Sequence, residues 1–251
     1  MTADDTHAVA DIGSSQADLD ASTDRYAKRF GGSGGVWLLS RQTAALRSLI
    51  GEDRSARVLD VGGGHGQIAA PLLEDGHSVT VHASSEAALG QVRRLDHPNL
   101  ALSTGGLMPL PFADGSFDVV TSFRIMAHIG DWRGYLAELA RVARQAVIVD
   151  FPIPSGANAL APLLFGLKKK IEGDTRRFDT IRRADARDVL EQAGFTSTGE
   201  IGQFVVPIVV HRKLAMPRFS AALERACGGI GLASMLGTPV VLRADRMPRD
   251  D

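Results

Sequence analysis

The sequence predicts a doubly wound α/β fold, in which helices cover both faces of a mostly parallel sheet. Two observations support this fold. Short apolar runs alternate with amphipathic segments along most of the 251 residues, and a glycine-rich turn joins the first apolar run to a helix-like segment. The apolar runs contain few polar residues, which is typical of strands that are buried on both faces.

Seven strands and six helices are expected from these patterns. The predicted strands are Arg57–Val61, Ser78–His82, Asn99–Ser103, Phe117–Ser122, Ala146–Phe151, Thr196–Val206 and Pro239–Ala244. The helices predicted from apolar residues at helical spacing are Trp37–Ile50, Gln67–Glu74, Ser85–Leu95, Trp132–Arg144, Ala184–Ala193 and Ile208–Ala226. Either Ser84 or Ser85 is expected to cap the third helix, since a serine hydroxyl can accept a hydrogen bond from an unpaired backbone N–H at a helix start.

The chain divides into three parts by composition. Residues 1–24 contain six Asp and no Lys or Arg, and we expect a mobile acidic tail because they offer little apolar surface to bury. Residues 25–56 predict an N-terminal helical lid with a flexible glycine hinge at residues 31–35. Residues 57–251 predict the main domain, with a segment near residues 152–183 placed to cap a substrate.

Charge and cysteine content exclude several classes of protein. The 28 Lys and Arg balance 29 Asp and Glu, so the basic footprint of a nucleic-acid-binding protein is missing and no nucleic-acid partner is expected. The single Cys227 rules out an internal disulfide and a cysteine-based metal cluster, and no metal site is predicted. The longest uncharged run, Ala226–Leu242, is too short and too rich in glycine for a membrane span. A soluble, cytoplasmic protein is expected, with its oligomeric state left open.

The turn after the first strand carries glycines at alternate positions, Gly62, Gly64 and Gly66. Glycine suits a sharp turn that a ligand approaches closely, and the following helix start presents unpaired N–H groups. A dinucleotide fingerprint has the spacing G-x-G-x-x-G, whose third glycine would fall at Gln67. The G-x-G-x-G spacing therefore disfavours a nicotinamide-dependent oxidoreductase.

Five motifs occur in consistent order between Val58 and Phe195. They are VLDVGGGHG from Val58, LPFADGSFDVV from Leu110, AHIGD from Ala127, the helix Leu136–Ala143 and LEQAGF from Leu190. Together they resemble the class I S-adenosylmethionine-dependent methyltransferases, in the small-molecule branch similar to the ubiquinone and menaquinone methyltransferases (type 11 methyltransferase domain). The resemblance implies a Rossmann-like sheet of seven strands with an antiparallel last strand, S-adenosylmethionine as cofactor and a small-molecule substrate.

The resemblance also implies roles for individual residues. Gly62, Gly64 and Gly66 would hold the amino-acid end of the cofactor on a turn shaped by Asp60, while Ser122, Phe123 and Arg124 would lie near the methyl group. His82 stands where the family ends its second strand with an acid for the ribose, and we expect it to contact the ribose instead. Gly106 replaces an Asp that meets the adenine, where the Leu107 backbone N–H is still expected to reach.

These assignments predict a methyltransferase acting on a small, partly apolar molecule at O or C. His128 follows the fourth strand and is the candidate general base, because histidine titrates near neutrality. A structural role for His128, in capping the next helix or bonding a loop, is the alternative. The two missing acids motivate a second hypothesis, a non-methylating member of the fold that is either a cofactor-requiring isomerase or a non-catalytic partner subunit.

Overall fold

Seven strands form one sheet in the computed structural model, which describes residues 18, 32–51, 55–154, 179–205, 220–222, 224 and 236–248. The strands are β1 (Arg57–Val61), β2 (Ser78–Ala83), β3 (Leu100–Thr104), β4 (Phe117–Ser122), β5 (Ala143–Phe151), β6 (Phe195–Gly202) and β7 (Val240–Arg246). Their order is β3-β2-β1-β4-β5-β7-β6, and β7 runs antiparallel to both β5 and β6. The predicted doubly wound sheet with an antiparallel last strand is confirmed.

Helices pack on both faces of this sheet and enclose two apolar cores. The α-helices that position the site are α1 (Gly32–Ile50), α2 (Ala69–Glu74), α3 (Trp132–Val142) and α4 (Arg183–Gln192). One core joins α3 and α4 to the sheet through residues such as Leu59, Val120 and Tyr135. The other lies under α1 and α2 and includes Leu46 and Val81. Burial on both faces explains why the central strands are continuously apolar.

The single helix predicted over Ser85–Leu95 is wrong. Two short 3-10 helices, Glu86–Leu89 and Val92–Leu95, occupy that segment, and Gly90 lies between them. Glycine disfavours a helix interior, and a 3-10 helix is used in short pieces. Of the two expected caps, Ser85 takes the role by accepting a hydrogen bond from Ala88 N–H at 3.4 Å.

The glycine run before Trp37 also differs from expectation. Residues 32–35 belong to the first turn of α1 instead of a hinge, and Gly34 and Gly35 are buried there. Without side chains, these positions let the helix start lie close to its neighbours. Three predicted segments lie mostly outside the described residues: the helix Ile208–Ala226, the capping segment and the acidic tail. Of these segments the structure describes residues 18, 152–154, 179–183, 220–222 and 224.

No helix within the described ranges is both long and apolar enough to cross a bilayer.

Candidate active site at the carboxyl edge of the sheet

The turn that follows β1 places its glycines at the carboxyl edge of the sheet. Gly62 adopts a φ of +79° and its N–H donates to the His82 carbonyl at 2.8 Å, which ties the turn to β2. A Cβ at Gly62 would lie 2.6 Å from Ile125 Cγ1, and Gly66 has a φ of +70°. Both the backbone angle and the close approach therefore require glycine at position 62.

Asp60 is a fully buried carboxyl group directly beneath this turn. Its Oδ1 accepts a hydrogen bond from Thr121 Oγ1 at 3.2 Å, whereas its Oδ2 has no hydrogen-bond partner among the described residues. A Cβ at Gly63 would collide with that carboxyl, so this glycine is also required. Burial raises the pKa of Asp60 to about 7, and the Thr121 hydrogen bond opposes the rise. The site thus holds a carboxyl group whose pKa is near neutrality. One of its oxygens, Oδ2, accepts no hydrogen bond from the described residues.

Arg124 closes the opposite side of a cleft above the turn. It follows β4 in a left-handed conformation with a φ of +64°, and its guanidinium donates to Gln67 Oε1 at 3.0 Å and Gln42 Oε1 at 2.6 Å. The cleft lies between this guanidinium, Asp60 and the Gly62 turn. A non-glycine residue held at positive φ is typical of functional sites, where the surrounding structure enforces the strain.

Asp150 holds the backbone of Arg124 in that conformation. It lies at the end of β5 and its Oδ1 accepts the Arg124 N–H at 2.5 Å. Burial raises the pKa of Asp150 to about 6, while the Arg124 N–H and the Arg124 charge oppose the rise. The carboxyl ends of β1, β4 and β5 therefore contribute Asp60, Arg124 and Asp150 to one region, as expected at the carboxyl edge of a doubly wound sheet.

His82 is buried, and both of its ring nitrogens have partners within the protein. Nδ1 lies 3.1 Å from Ser103 Oγ, and Nε2 lies 3.0 Å from the Gly106 carbonyl. Only an N–H can pair with a carbonyl, so the neutral ring carries its proton on Nε2 and accepts the Ser103 hydroxyl at Nδ1. Burial lowers the pKa of His82, against the opposing effects of the Gly106 carbonyl and the Asp18 charge. The ribose contact predicted for His82 stays a prediction.

Asp18 joins the site from the N-terminal part of the chain. Its carboxylate accepts Ser84 N–H at 2.6 Å and Ser84 Oγ–H at 2.5 Å, directly after β2. The side chain is fully buried, and its Cβ would lie 3.8 Å from a Cβ at Gly62. A carboxylate thus lies between the end of β2 and the glycine turn.

The other predicted site residues take different positions. Phe123 is buried beside the cleft and contributes to its lining. Ser122 is buried in the interior, where its hydroxyl donates to the Val61 carbonyl and pairs with Tyr135 Oη.

The Leu107 side chain is buried in the core, and His128 is half-buried at the end of the short 3-10 helix Met126–His128. The Gly64 carbonyl accepts Val92 N–H and so braces the turn.

Sequence reasoning missed Asp18, Gln42 and Gln67. Asp18 is one of six aspartates in a segment without a periodic pattern, so no local signal separates it from the others. Gln42 lies on α1 and Gln67 precedes α2, and each is an ordinary helix-compatible residue. Only the long-range contacts with Ser84 and Arg124 reveal these three side chains as parts of the site.

Comparison with known families agrees with the motifs. Residues 59–149, which include the glycine turn and Arg124, match the model of a family described as a methyltransferase domain. A curated relative, the demethylmenaquinone methyltransferase of Beutenbergia cavernae, is 30% identical over 160 residues, which cover 60% of this chain and 66% of the relative. The chain covers 66% of the length of this relative and 52% of the demethylmenaquinone methyltransferase of Corynebacterium kroppenstedtii, to which it is 30% identical over 125 residues. The resemblance to class I methyltransferases of the menaquinone type is confirmed.

Solved structures of low sequence identity share the fold. Magnesium protoporphyrin IX methyltransferase from Synechocystis PCC 6803, solved with bound SAH, superposes with a TM-score of 0.60 at 19% identity, covering 89% of this chain and 93% of that one. The [4+2]-cyclase SpnF superposes with a TM-score of 0.58 at 17% identity, covering 83% of this chain and 81% of the cyclase. The same architecture therefore occurs in a methyltransferase and in a cyclase, so the fold alone leaves the reaction open.

Proposed function

We propose that this chain, which carries a methyltransferase domain, is an S-adenosylmethionine-dependent methyltransferase acting on a small, partly apolar molecule at O or C. The observation that carries the proposal is that the turn and strand ends forming the cleft lie within residues 59–149, the part that matches the methyltransferase family. The names of the curated relatives favour an acceptor with a quinone-like ring.

The residues of the cleft suit the charged end of S-adenosylmethionine. Asp60 Oδ2 is a buried acceptor with no partner among the described residues, and an ammonium group would satisfy it. The glycines of the turn at positions 62 and 63 line the cleft beside this carboxyl group. Bound there, the cofactor supplies a methyl group on a positively charged sulfur. The residues of this chain then have to align the acceptor with that group and exclude water, because positioning accounts for much of the catalysis in such a displacement.

His128 is the proposed general base for a hydroxyl or activated-carbon acceptor. It lies at the carboxyl edge beyond β4, where its side chain is half-buried. Replacing His128 with Asn is expected to lower kcat about 10²–10⁴-fold, the usual contribution of a positioned base, without changing the affinity for S-adenosylhomocysteine. His97→Asn, in the loop before β3, serves as the control, and an unchanged kcat in His128→Asn would leave only the structural role.

Calorimetry with S-adenosylhomocysteine tests the proposal directly. We expect a dissociation constant in the micromolar range for the full chain, followed by transfer of a labelled methyl group to a quinol or phenol from a panel. Failure to bind at millimolar concentrations would refute a cofactor-dependent reaction. Binding without methyl transfer to any acceptor would favour the second candidate, a non-methylating member of the fold, for which the non-acidic end of β2 is the supporting observation.

A further inference from the structure

We infer that Asp18 is the carboxylate that receives the ribose hydroxyls of the nucleoside cofactor. The inference rests on the proposed function and assigns one of its binding residues. Asp18 belongs to a part of the chain where the sequence predicts only a tail, and it would replace an acid that β2 lacks.

The place of the ribose follows from the topology of the sheet. In doubly wound sheets that bind a dinucleotide, an acidic residue about 20 residues beyond the glycine turn hydrogen-bonds a ribose hydroxyl, and we apply the same placement to the nucleoside expected here. Here that strand ends at Ala83, with His82 before it and Ser84 after it, so none of the three is acidic. The nitrogens of His82 pair with Ser103 and the Gly106 carbonyl, on the side of β3. The end of β2 itself thus offers no carboxylate.

Asp18 brings a carboxylate to that same position from elsewhere in the chain. Its two oxygens accept the Ser84 backbone N–H and the Ser84 hydroxyl, which anchors the group directly after β2. Its Cβ lies on the side facing the Gly62 turn, and its charge acts on both His82 and Tyr135. The carboxylate therefore lies at the end of β2 and close to the Gly62 turn, which is where the general rule expects an acidic residue.

The chemistry of a carboxylate suits a vicinal diol. A carboxylate can accept about four hydrogen bonds, and the Ser84 N–H and hydroxyl are two of the partners that Asp18 has here. Ribose hydroxyls would add to these contacts or replace some of them. Hydrogen bonds to a charged acceptor are roughly twice as strong as neutral ones. Asp18 is fully buried beside the lining of the cleft, so the ribose reaches it only when the contacts that cover it open. A purely structural Asp18, which only fixes the loop at Ser84, would show no preference for a ligand with hydroxyl groups.

The test compares ligands with and without the diol on the full chain and on Asp18→Asn. This variant keeps an oxygen for Ser84 and removes the charge. Calorimetry measures the affinities for S-adenosylhomocysteine, adenosine and 2′,3′-dideoxyadenosine. Loss of charged hydrogen bonds should weaken S-adenosylhomocysteine binding about 10–100-fold in Asp18→Asn. The preference for adenosine over its dideoxy analogue should fall by a similar factor. Asp188→Asn, an exposed aspartate on α4, should change neither quantity.

Each outcome separates the inference from the proposed function. If the unaltered chain binds S-adenosylhomocysteine but Asp18→Asn binds it equally or more tightly, the inference fails and the proposed function stands. If binding weakens while the preference for the diol is kept, Asp18 serves only to hold Ser84 and the inference fails. If the unaltered chain binds adenosine and its dideoxy analogue equally, the inference fails. This comparison needs no variant, so it tests the inference even if Asp18→Asn folds poorly. No binding of S-adenosylhomocysteine by the unaltered chain removes both.

Discussion

Arg124 Nη2 donates a hydrogen bond to Gln42 Oε1 at 2.6 Å and so joins the end of β4 to the middle of α1. Gln42 is almost fully buried, and the same guanidinium also reaches Gln67 beside the glycine turn. One cation therefore connects three segments around the cleft. The helix before the domain is part of the wall of the site and is held there by a polar contact instead of by apolar packing alone.

Gln42→Leu should destabilise the protein more than its change of volume suggests. The substitution removes a buried acceptor from a charged donor, and such a loss costs about 1–3 kcal/mol. Gln192→Leu, on the exposed end of α4, is the matched control and should change the free energy of unfolding by less than about 0.5 kcal/mol. Urea unfolding measures both, and equal effects would show that the contact contributes nothing.

Gly62→Ala should impair both folding and cofactor binding, while Gly194→Ala should affect folding alone. Both glycines have positive φ, +79° and +83°, so an alanine at either position costs about 1 kcal/mol of backbone strain. The new Cβ meets Ile125 at position 62, whereas nothing lies within 4 Å of it at position 194. Overpacking should add about 1–3 kcal/mol for Gly62→Ala alone.

The affinity for S-adenosylhomocysteine separates these two variants further. We expect calorimetry to show at least about a tenfold loss for Gly62→Ala, equal to 1.4 kcal/mol, and no loss for Gly194→Ala. Unchanged binding by a folded Gly62→Ala would mean that the ligand does not approach this turn.

Asp60 should make the protein less stable as the pH rises from about 4 to about 7. An unfolded aspartate ionises near pH 4, but burial raises the pKa of Asp60 to about 7, so the folded state binds more protons in this window. The stability that this group contributes at low pH is therefore lost as the pH approaches 7, by an amount on the order of 3 kcal/mol. Urea unfolding of the unaltered chain and of Asp60→Asn between pH 4.5 and pH 7.5 measures it.

The stability difference between the two proteins is the informative quantity, since it cancels the other titrating groups. The unaltered chain should lose stability relative to Asp60→Asn as the pH rises. A constant difference between the unaltered chain and Asp60→Asn would show that this carboxyl is ionised throughout the range.

At pH 6.5 a free imidazole is about half protonated, and His82 should be protonated to a smaller extent, with the proton of its neutral form on Nε2. Burial lowers its pKa, and the Gly106 carbonyl requires a donor at Nε2. The unfolded state binds the proton more readily, so His82 lowers the free energy of unfolding as the pH falls through 6.5. Asp60 lowers it in the opposite direction, as the pH rises. Nitrogen NMR of the ring distinguishes the tautomers, and a ring that is mostly imidazolium at pH 6.5, or a neutral ring with its proton on Nδ1, would contradict the assignment.

The strands near the site could be predicted closely because their signal is local. The bounds of β1 and β4 are those expected, since each is a short apolar run with polar or turn residues at both ends. The segment after β2 could not be predicted in the same way. Apolar residues at helical spacing suggested one helix, but Gly90 and the contact of Val92 with Gly64 favour two short 3-10 turns. Tertiary contacts overrode a weak local preference there.

The roles of individual side chains followed less well from the sequence. The family resemblance implies that Ser122 lies near the cofactor, which stays a prediction, and the structure adds that its hydroxyl lies in the interior against Val61 and Tyr135. Successive residues of a strand face opposite sides of the sheet, and the side that faces the ligand at a strand end depends on the twist and on neighbouring loops.

The sequence by itself determined the alternation of strands and helices, the glycine turn and the resemblance to a methyltransferase family, because each depends on residue types at short spacing. Only the tertiary structure decided which side chains share the cleft. Asp18 and Ser84 are 66 positions apart, and Gln42 and Arg124 are 82 apart. Such pairs meet because the strand order brings their elements to one edge of the sheet, and local periodicity does not encode which distant elements become neighbours.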